Sequence, residues 1–163
     1  EVRENYNAKE KLFLFRQEYD ASGGKEIFLS YESKNRERLY SLLRLRIPSY
    51  IYSHGHIRIP ERSSKERSEV ALFACLKNSA VIRELHTYGQ LHPLIYRCRA
   101  SVNSVISPQH KGLGKKLIQK AEKIAKKEFG TKNIAVISGI GAREYYRRLE
   151  YKLKDTYMIK KLR

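Results

Sequence analysis

A glycine-containing segment is the part of this sequence best suited to holding a charged ligand. The segment reads Gln109-His110-Lys111-Gly112-Leu113-Gly114 and stands directly before a long amphipathic stretch. Glycines let a ligand approach the backbone, and the first amides of a helix have no partners inside the helix. Together with the helix dipole, such amides favour a phosphate-type anion. The segment therefore predicts an anion site at a helix start.

Lys115 and Lys116 follow in what would be the first turn of that helix. Two cations are unfavourable there, because the amino end of a helix is already positive, and a bound anion would relieve the conflict. An ordinary helix start that carries lysines is the alternative interpretation. The spacing departs from G-x-x-x-x-G-K-[ST], and the acidic residue expected after the first helix of a dinucleotide fold is missing. Nucleoside triphosphates and NAD are therefore poor candidates.

The pattern around this segment predicts an α/β fold. Residues 113–129 carry apolar residues at helical spacing, Gly130 supplies a stop, and the apolar run 134–138 is typical of a strand buried on both faces. Segments with strand-like patterns are 11–20, 25–32, 39–47, 80–88, 151–154 and 157–162, and 142–149 fits a short helix. Residues 64–77 fit a helix or a strand, and 48–68 and 89–107 fit loops.

Alternation along strand 80–88 sorts its side chains onto two faces. Arg83, Leu85 and Thr87 are expected on one face, and Glu84, His86 and Tyr88 are expected on the other.

Composition indicates one globular domain over residues 1–163, with 41% apolar and 31% charged residues. The chain has 34 Lys and Arg residues and 17 Asp and Glu residues, which gives a net charge of +17. Such a charge attracts polyanions such as nucleic acid. A lysine-rich surface without such a partner is the alternative interpretation. Cys75 and Cys98 form no CxxC pair, which argues against a disulfide framework or an iron–sulfur cluster in this chain and suits the cytoplasm. No membrane span and no metal site are expected, and His54 and His56 fit a solvated loop.

The pattern Gln-x-x-Gly-x-Gly between a strand and a long helix resembles the pyrophosphate loop of the GNAT acetyltransferase superfamily, which binds acetyl-CoA. The resemblance implies the GNAT acyl-CoA N-acyltransferase fold, a central, mixed, mostly antiparallel twisted sheet flanked by helices. In that superfamily a tyrosine four residues before a Gly-aromatic pair commonly protonates the departing CoA thiolate. Tyr146 holds that position, with Glu150 in place of the glycine before Tyr151.

A narrower resemblance spans nearly the whole sequence. RELHTYG and ISGIGAREYYR are the most specific of several blocks that resemble the acetyltransferase domain of the Elongator catalytic subunit; the blocks are 21–32, 42–49, 82–89, 109–114, 134–151 and 157–162. That family modifies the wobble uridine of tRNA by building a carboxymethyl group from acetyl-CoA. Its upstream radical-SAM domain uses S-adenosylmethionine and a 4Fe-4S cluster. The cysteine motif of that domain is absent from this sequence, and the start at Glu1 favours a domain excised from a longer protein.

The resemblance assigns roles to particular residues. It implies Tyr146 as the catalytic acid toward the thiolate. Because Glu84 and His86 share one face of their strand, either of them is a candidate catalytic base, and a purely structural pair is the alternative. Tyr145 is expected to pack under the cofactor. The implied acetyl-CoA-binding residues are Glu84, Leu85, His86, Thr87, Gln109, Lys111, Gly112, Leu113, Gly114, Lys115, Tyr145 and Tyr146.

The implied partners are tRNA, the radical-SAM domain of the same protein and other Elongator-type subunits. Two other functions remain open: a stand-alone protein or small-molecule N-acetyltransferase of the same fold, and a non-catalytic tRNA-binding or scaffold module. Arg143, Arg147 and Arg148 are candidates for tRNA or CoA phosphates. The lysines of the long helix fit a solvated face better than an RNA contact. Segments 48–79 and 92–108 are longer than the family's links and flank the acceptor side.

Overall fold

The computed structural model describes residues 10–48, 74–88 and 112–162. These residues form seven strands: β1 Phe13–Asp20, β2 Gly24–Glu32, β3 Leu39–Pro48, β4 Ser79–Thr87, β5 Asn133–Ile137, β6 Lys152–Lys154 and β7 Tyr157–Lys161. Two α-helices accompany them, α1 Leu113–Lys127 and α2 Arg143–Arg147, with 3-10 turns at Ala74–Leu76 and Ile140–Ala142.

All seven strands join one sheet in the order β1-β2-β3-β4-β5-β7-β6. Strands β1 to β4 pair antiparallel with their neighbours, β4 and β5 pair in parallel, and β7 pairs antiparallel with both β5 and β6. The parallel pair requires a crossover, and α1 lies in that connection. The predicted mixed, mostly antiparallel sheet is therefore confirmed.

Helix α1 covers one face of the sheet with an apolar stripe at positions three and four apart. Leu117, Ile118 and Ile124 of this stripe are at most 1% exposed and pack with Leu43 and Ile82 of the sheet. Such burial contributes roughly 2 kcal/mol for each large side chain. No helix within the described ranges is long and apolar enough to cross a membrane.

The predicted elements form within two residues of their expected bounds. Helix α1 ends two residues early at Lys127, and Gly130 follows with a φ of +61°, as its predicted role as a stop requires. Strand β5 departs from full burial, since Ile137 is 58% exposed. The loops predicted over 48–68 and 89–107, and residues 64–73 of the ambiguous segment, lie outside the described residues apart from Pro48, which ends β3.

A β-bulge interrupts the β3–β4 ladder. Arg44 pairs with Glu84, but Leu45 pairs with Ile82, so Arg83 is the extra residue. Because of it, Arg83 contacts Glu26 on the same face as Glu84, and its predicted placement with Leu85 and Thr87 is wrong. Strict alternation cannot anticipate an inserted residue.

Candidate functional site

Strands β4 and β5 separate at their carboxyl ends. Their parallel ladder ends at Ile82 opposite Val136, whereas β4 continues to Thr87 and keeps its pairing with β3 as far as Ser41. Within the described strands, residues 83–87 therefore have no ladder on the β5 side. At the end of β5, the buried hydroxyl of Ser138 has no hydrogen-bond partner in the described part of the chain. The opening thus presents polar groups that a ligand could pair.

The start of α1 lies beside this opening. Gly112 precedes the helix with a φ of +65° and a ψ of 25°, and a Cβ built there meets nothing within 4 Å, so the backbone conformation and not lack of space favours glycine. Among the described residues no side chain caps the helix, and its first turn holds no acidic residue. The first amides are therefore available to an anion. Gln109 and Lys111, the other predicted members of this loop, lie outside the described residues.

Gly114 joins three elements of the site. A Cβ at this position would lie 3.2 Å from the hydroxyl oxygen of Tyr145 and 3.5 Å from Oγ1 of Thr87. Leu85 is the next neighbour, with Cδ2 at 3.9 Å. The start of α1, the end of β4 and α2 therefore meet where Gly114 has no side chain.

The two adjacent tyrosines of α2 have different surroundings. Tyr146 is 6% exposed and belongs to the core, where its ring meets that of Tyr151 edge to face at 5.7 Å. Tyr145 is half-buried, and its hydroxyl points to Gly114. Burial raises the pKa of Tyr145 to about 12, and burial together with Tyr145 raises that of Tyr146 to about 12. Both hydroxyls therefore stay protonated at neutral pH, and that of Tyr145 lies beside Gly114 at the start of α1.

A polar link that the sequence analysis missed joins Glu122 of α1 to Tyr151, which follows the turn after α2, and to Lys160 of β7. The Tyr151 hydroxyl donates to Oε1 of Glu122 at 2.9 Å, and Lys160 Nζ donates to the same carboxylate at 3.2 Å. Burial, followed by the charge of Glu122, raises the pKa of Tyr151. The only signal in the sequence is a Glu within an otherwise basic helix, which by itself does not identify its partners.

Glu84 and His86 share one face of the sheet, as predicted, and they contact each other. That face is the one opposite α1. His86 Nε2 lies 3.2 Å from Glu84 Oε1, and Arg44 Nη1 lies 3.5 Å from Glu84 Oε2. Glu26, only 2% exposed, meets Arg44, Arg46 and Arg83. Sequence reasoning missed Arg44 and Glu26, because only the strand register shows that they neighbour Glu84.

The remaining predicted residues lie away from this contact. Arg147 pairs with Glu144 at 3.2 Å, and Nε of Arg143 is buried without a hydrogen-bond partner among the described residues. The lysines on the outer side of α1 are exposed; they are Lys115, Lys116, Lys120, Lys123, Lys126 and Lys127. His54 and His56 lie outside the described residues, among which no three His, Cys, Asp or Glu side chains gather as metal ligands.

Comparison with known proteins identifies relatives of this chain. Residues 99–151 match the Acetyltransferase (GNAT) family. The chain is 43% identical over 153 residues to the tRNA uridine(34) acetyltransferase of Methanocaldococcus jannaschii, covering 94% of this chain and 24% of that relative. It is 38% identical over 153 residues to Elongator complex protein 3 of Saccharomyces cerevisiae, with the same two coverages. The chain thus spans about a quarter of the length of these curated relatives.

A solved structure agrees with the sequence relatives. The archaeal Elp3 of Methanocaldococcus infernus, determined with an N-terminal deletion, superposes with a TM-score of 0.65 at 40% identity. The match covers 93% of this chain and 30% of that one. Fold and sequence agree: the chain belongs to the GNAT acetyltransferase family, in the branch that contains the tRNA uridine(34) acetyltransferases and Elongator complex protein 3.

Proposed function

We propose that this chain is the acetyl-CoA-binding acetyltransferase domain of a tRNA-modifying enzyme, where it supplies the acetyl group for carboxymethylation of the wobble uridine. The observation that carries the proposal is the meeting of the splayed β4 strand, the uncapped start of α1 and the Tyr145 hydroxyl around Gly114. The names of the relatives, tRNA uridine(34) acetyltransferase and Elongator complex protein 3, supply the substrate class.

The described residues fit acetyl-CoA. The segment Glu84, Leu85, His86 and Thr87 has no ladder on its β5 side, and backbone groups on that edge would pair the amides of the pantetheine arm. The Ser138 hydroxyl has capacity for a further hydrogen bond. The amides of Leu113, Gly114 and Lys115 would hold the pyrophosphate. When bound, acetyl-CoA supplies an activated thioester carbonyl.

Hydrolysis of the thioester by water leaves the carboxylate of the carboxymethyl group, and side chains around the opening supply its two proton transfers. Glu84 or His86 takes the proton of the attacking nucleophile, and a backbone amide of β4 stabilises the oxyanion. The new bond to the carbonyl carbon forms as the carbon–sulfur bond breaks, and a tyrosine hydroxyl donates to the departing sulfur. Tyr146 holds the family position for this donor, whereas Tyr145 has its hydroxyl at the opening. A pKa of about 12 keeps either hydroxyl protonated until that moment.

The wider assembly belongs to the same proposal. A radical-SAM domain of the same protein would use S-adenosylmethionine and its 4Fe-4S cluster to activate the acetyl methyl group, and tRNA would be the acceptor. Other Elongator-type subunits and a cytoplasmic location complete the expected setting. The net charge of +17 supports an RNA partner, because each neutralised phosphate releases bound counterions.

The first experiment measures CoA thiol release from acetyl-CoA by this chain, with tRNA, with lysine peptides and alone. We expect acetyl-CoA binding, and release that rises with tRNA and not with peptides. Gly114→Arg should abolish binding, because its side chain enters the space next to Tyr145 and Thr87.

Release stimulated by peptides instead of tRNA would contradict the tRNA-modifying function and support the N-acetyltransferase alternative. Cofactor binding that survives Gly114→Arg would show that the pyrophosphate site lies elsewhere. Binding without release would place turnover in the complete enzyme, and the same comparison would then be made with the full-length protein.

A further inference from the structure

A chain of alternating charges crosses three neighbouring strands on the face opposite α1. It begins at Glu26 on β2, which is 2% exposed, and passes to Arg44 on β3, whose Nε lies 3.7 Å from Glu26 Oε2. From Arg44 it reaches Glu84 on β4 at 3.5 Å, and from Glu84 it reaches His86 at 3.2 Å. Exposure rises along the chain, to 37% at Glu84 and 55% at His86. The buried end gathers Arg44, Arg46 and Arg83 around Glu26, and the exposed end is an imidazole.

The β-bulge creates this arrangement. With Arg83 inserted, Glu84 lies directly opposite Arg44, so the two side chains share a face across one ladder step. Arg83 itself turns to Glu26, with Nη1 at 2.8 Å from Oε1. Without the bulge the register of β4 would shift by one residue, and Glu84 and His86 would change faces.

Nε2 of His86 faces Oε1 of Glu84 at 3.2 Å, so Nδ1 is the ring nitrogen that this contact leaves open. A neutral imidazole that donates Nε2–H to a carboxylate has its lone pair on Nδ1. Nδ1 is then the atom that can take a proton. Glu84, held between Arg44 and His86, is the carboxylate that orients the ring rather than the base itself.

We infer that Arg44 and Glu84 are positioning residues that hold His86 with Nδ1 facing the nucleophile, and that His86 is the proton acceptor of the reaction. This inference rests on the proposed function. In hydrolysis of acetyl-CoA, water forms the new carbon–oxygen bond and one of its protons passes to His86 Nδ1. The carbon–sulfur bond breaks, and a tyrosine hydroxyl protonates the departing sulfur. His86 then returns its proton to the tyrosinate, and acetic acid loses its own proton to solvent, so that acetate, CoA thiol and one proton balance the reaction.

Four substitutions test the kinetic part: His86→Gln, Glu84→Gln, Arg44→Gln and Arg44→Lys, with Arg83→Gln as the matched control. Arg83 also contacts Glu26, but among the described contacts it does not reach Glu84. The assay uses this chain, or the full-length protein if only that releases CoA. We expect Arg44→Gln to lower kcat for thiol release about tenfold, with little change in the KM for acetyl-CoA. Arg44→Lys should recover part of the loss, and Arg83→Gln should leave kcat nearly unchanged.

The double variant distinguishes positioning from a structural role. If Arg44 acts through Glu84, then Glu84→Gln combined with Arg44→Gln is no slower than Glu84→Gln alone. Independent, multiplying losses would overturn the inference. An equal loss in Arg83→Gln would also overturn it, because the effect would then come from Glu26 or from net charge.

A spectroscopic readout applies even when turnover is slow. Long-range proton–nitrogen spectra of the neutral ring should show His86 protonated on Nε2 in the wild type and in Arg83→Gln, and a mixture of both tautomers in Arg44→Gln. Protonation on Nδ1 in the wild type would overturn the inference.

If acetyl-CoA binding and its tRNA response persist while His86→Gln retains full kcat, the inference fails and the proposed function stands. If neither binding nor release occurs in the complete enzyme, the proposed function itself fails.

Discussion

At the scale of single residues, the site depends on which of two adjacent hydroxyls faces the opening. Tyr145 has its hydroxyl next to Gly114 and Thr87, while the ring of Tyr146 packs against Tyr151 in the core. Neighbouring residues of a helix point about 100° apart, so one of the pair faces the opening while the other lies beneath. Sequence resemblance selects Tyr146, and the geometry makes Tyr145 a second candidate for the same role.

Replacing each hydroxyl separately tests this assignment. We expect Tyr145→Phe to slow thiol release about tenfold or more with acetyl-CoA binding largely retained, because only the hydrogen bond to the leaving sulfur is lost. Tyr146→Phe should have the smaller effect, because its ring packing is preserved. Release kinetics and a binding isotherm for each variant measure both quantities. A larger loss in Tyr146→Phe than in Tyr145→Phe would restore Tyr146 as the donor.

At the scale of elements, the sequence predicted what periodicity and glycines encode. The apolar spacing of α1, the strand-like patterns of β2 and β3, and the stop at Gly130 depend on local rules, and each element formed. The family resemblance implied a mixed sheet, but the position of the parallel β4–β5 pair and of the splay is seen only in the structure. The charge chain from Glu26 to His86 could not be predicted from the sequence, because it depends on a bulge and on long-range strand register. Local sequence patterns therefore predicted the elements and the glycine segment, whereas the rest of the site depends on tertiary strand pairing.

The turn after α2 shows how an element ending tolerates a departure from the family. Glu150 stands where the family has glycine, and it adopts a φ of +70°. The Glu150 amide donates to the Arg147 carbonyl at 2.9 Å, and the Tyr151 amide donates to the Tyr146 carbonyl at 3.1 Å. These two bonds form a Schellman motif, which normally ends in glycine. The turn is thus preserved, with the strain carried by the glutamate backbone.

We expect Glu150→Gly to stabilise the fold by about 0.5 kcal/mol, since relief of the left-handed strain exceeds the added entropy of the unfolded glycine. The matched control is Glu150→Ala, which keeps a Cβ at the same φ and removes the contact to Lys160 at 3.6 Å. Urea unfolding of the three proteins measures the difference in the free energy of unfolding. A Glu150→Gly protein no more stable than Glu150→Ala would show that this turn stores no strain.

At the scale of the whole molecule, buried tyrosines link stability to alkaline pH. Burial raises the pKa of Tyr145 and Tyr146 to about 12, and burial also raises that of Tyr151. A raised pKa means that the unfolded chain loses these protons first, near the ordinary tyrosine value of about 10. Their stabilising contribution is therefore complete below about pH 10 and is lost as the pH rises toward the folded-state values.

We expect the free energy of unfolding to fall above about pH 10 by roughly 1 kcal/mol per pH unit for each of these tyrosines, against a background set by lysine deprotonation. Tyr146→Phe removes one such proton and should make the fall less steep. Tyr19→Phe, at an edge-strand position 48% exposed, is the control and shares the lysine background. Urea unfolding between about pH 9 and about pH 12, followed alongside tyrosinate absorbance, measures the slopes. Equal slopes in the two variants would mean that Tyr146 ionises as readily in the folded protein as in the unfolded chain, and the α2 core would then have to be open to water.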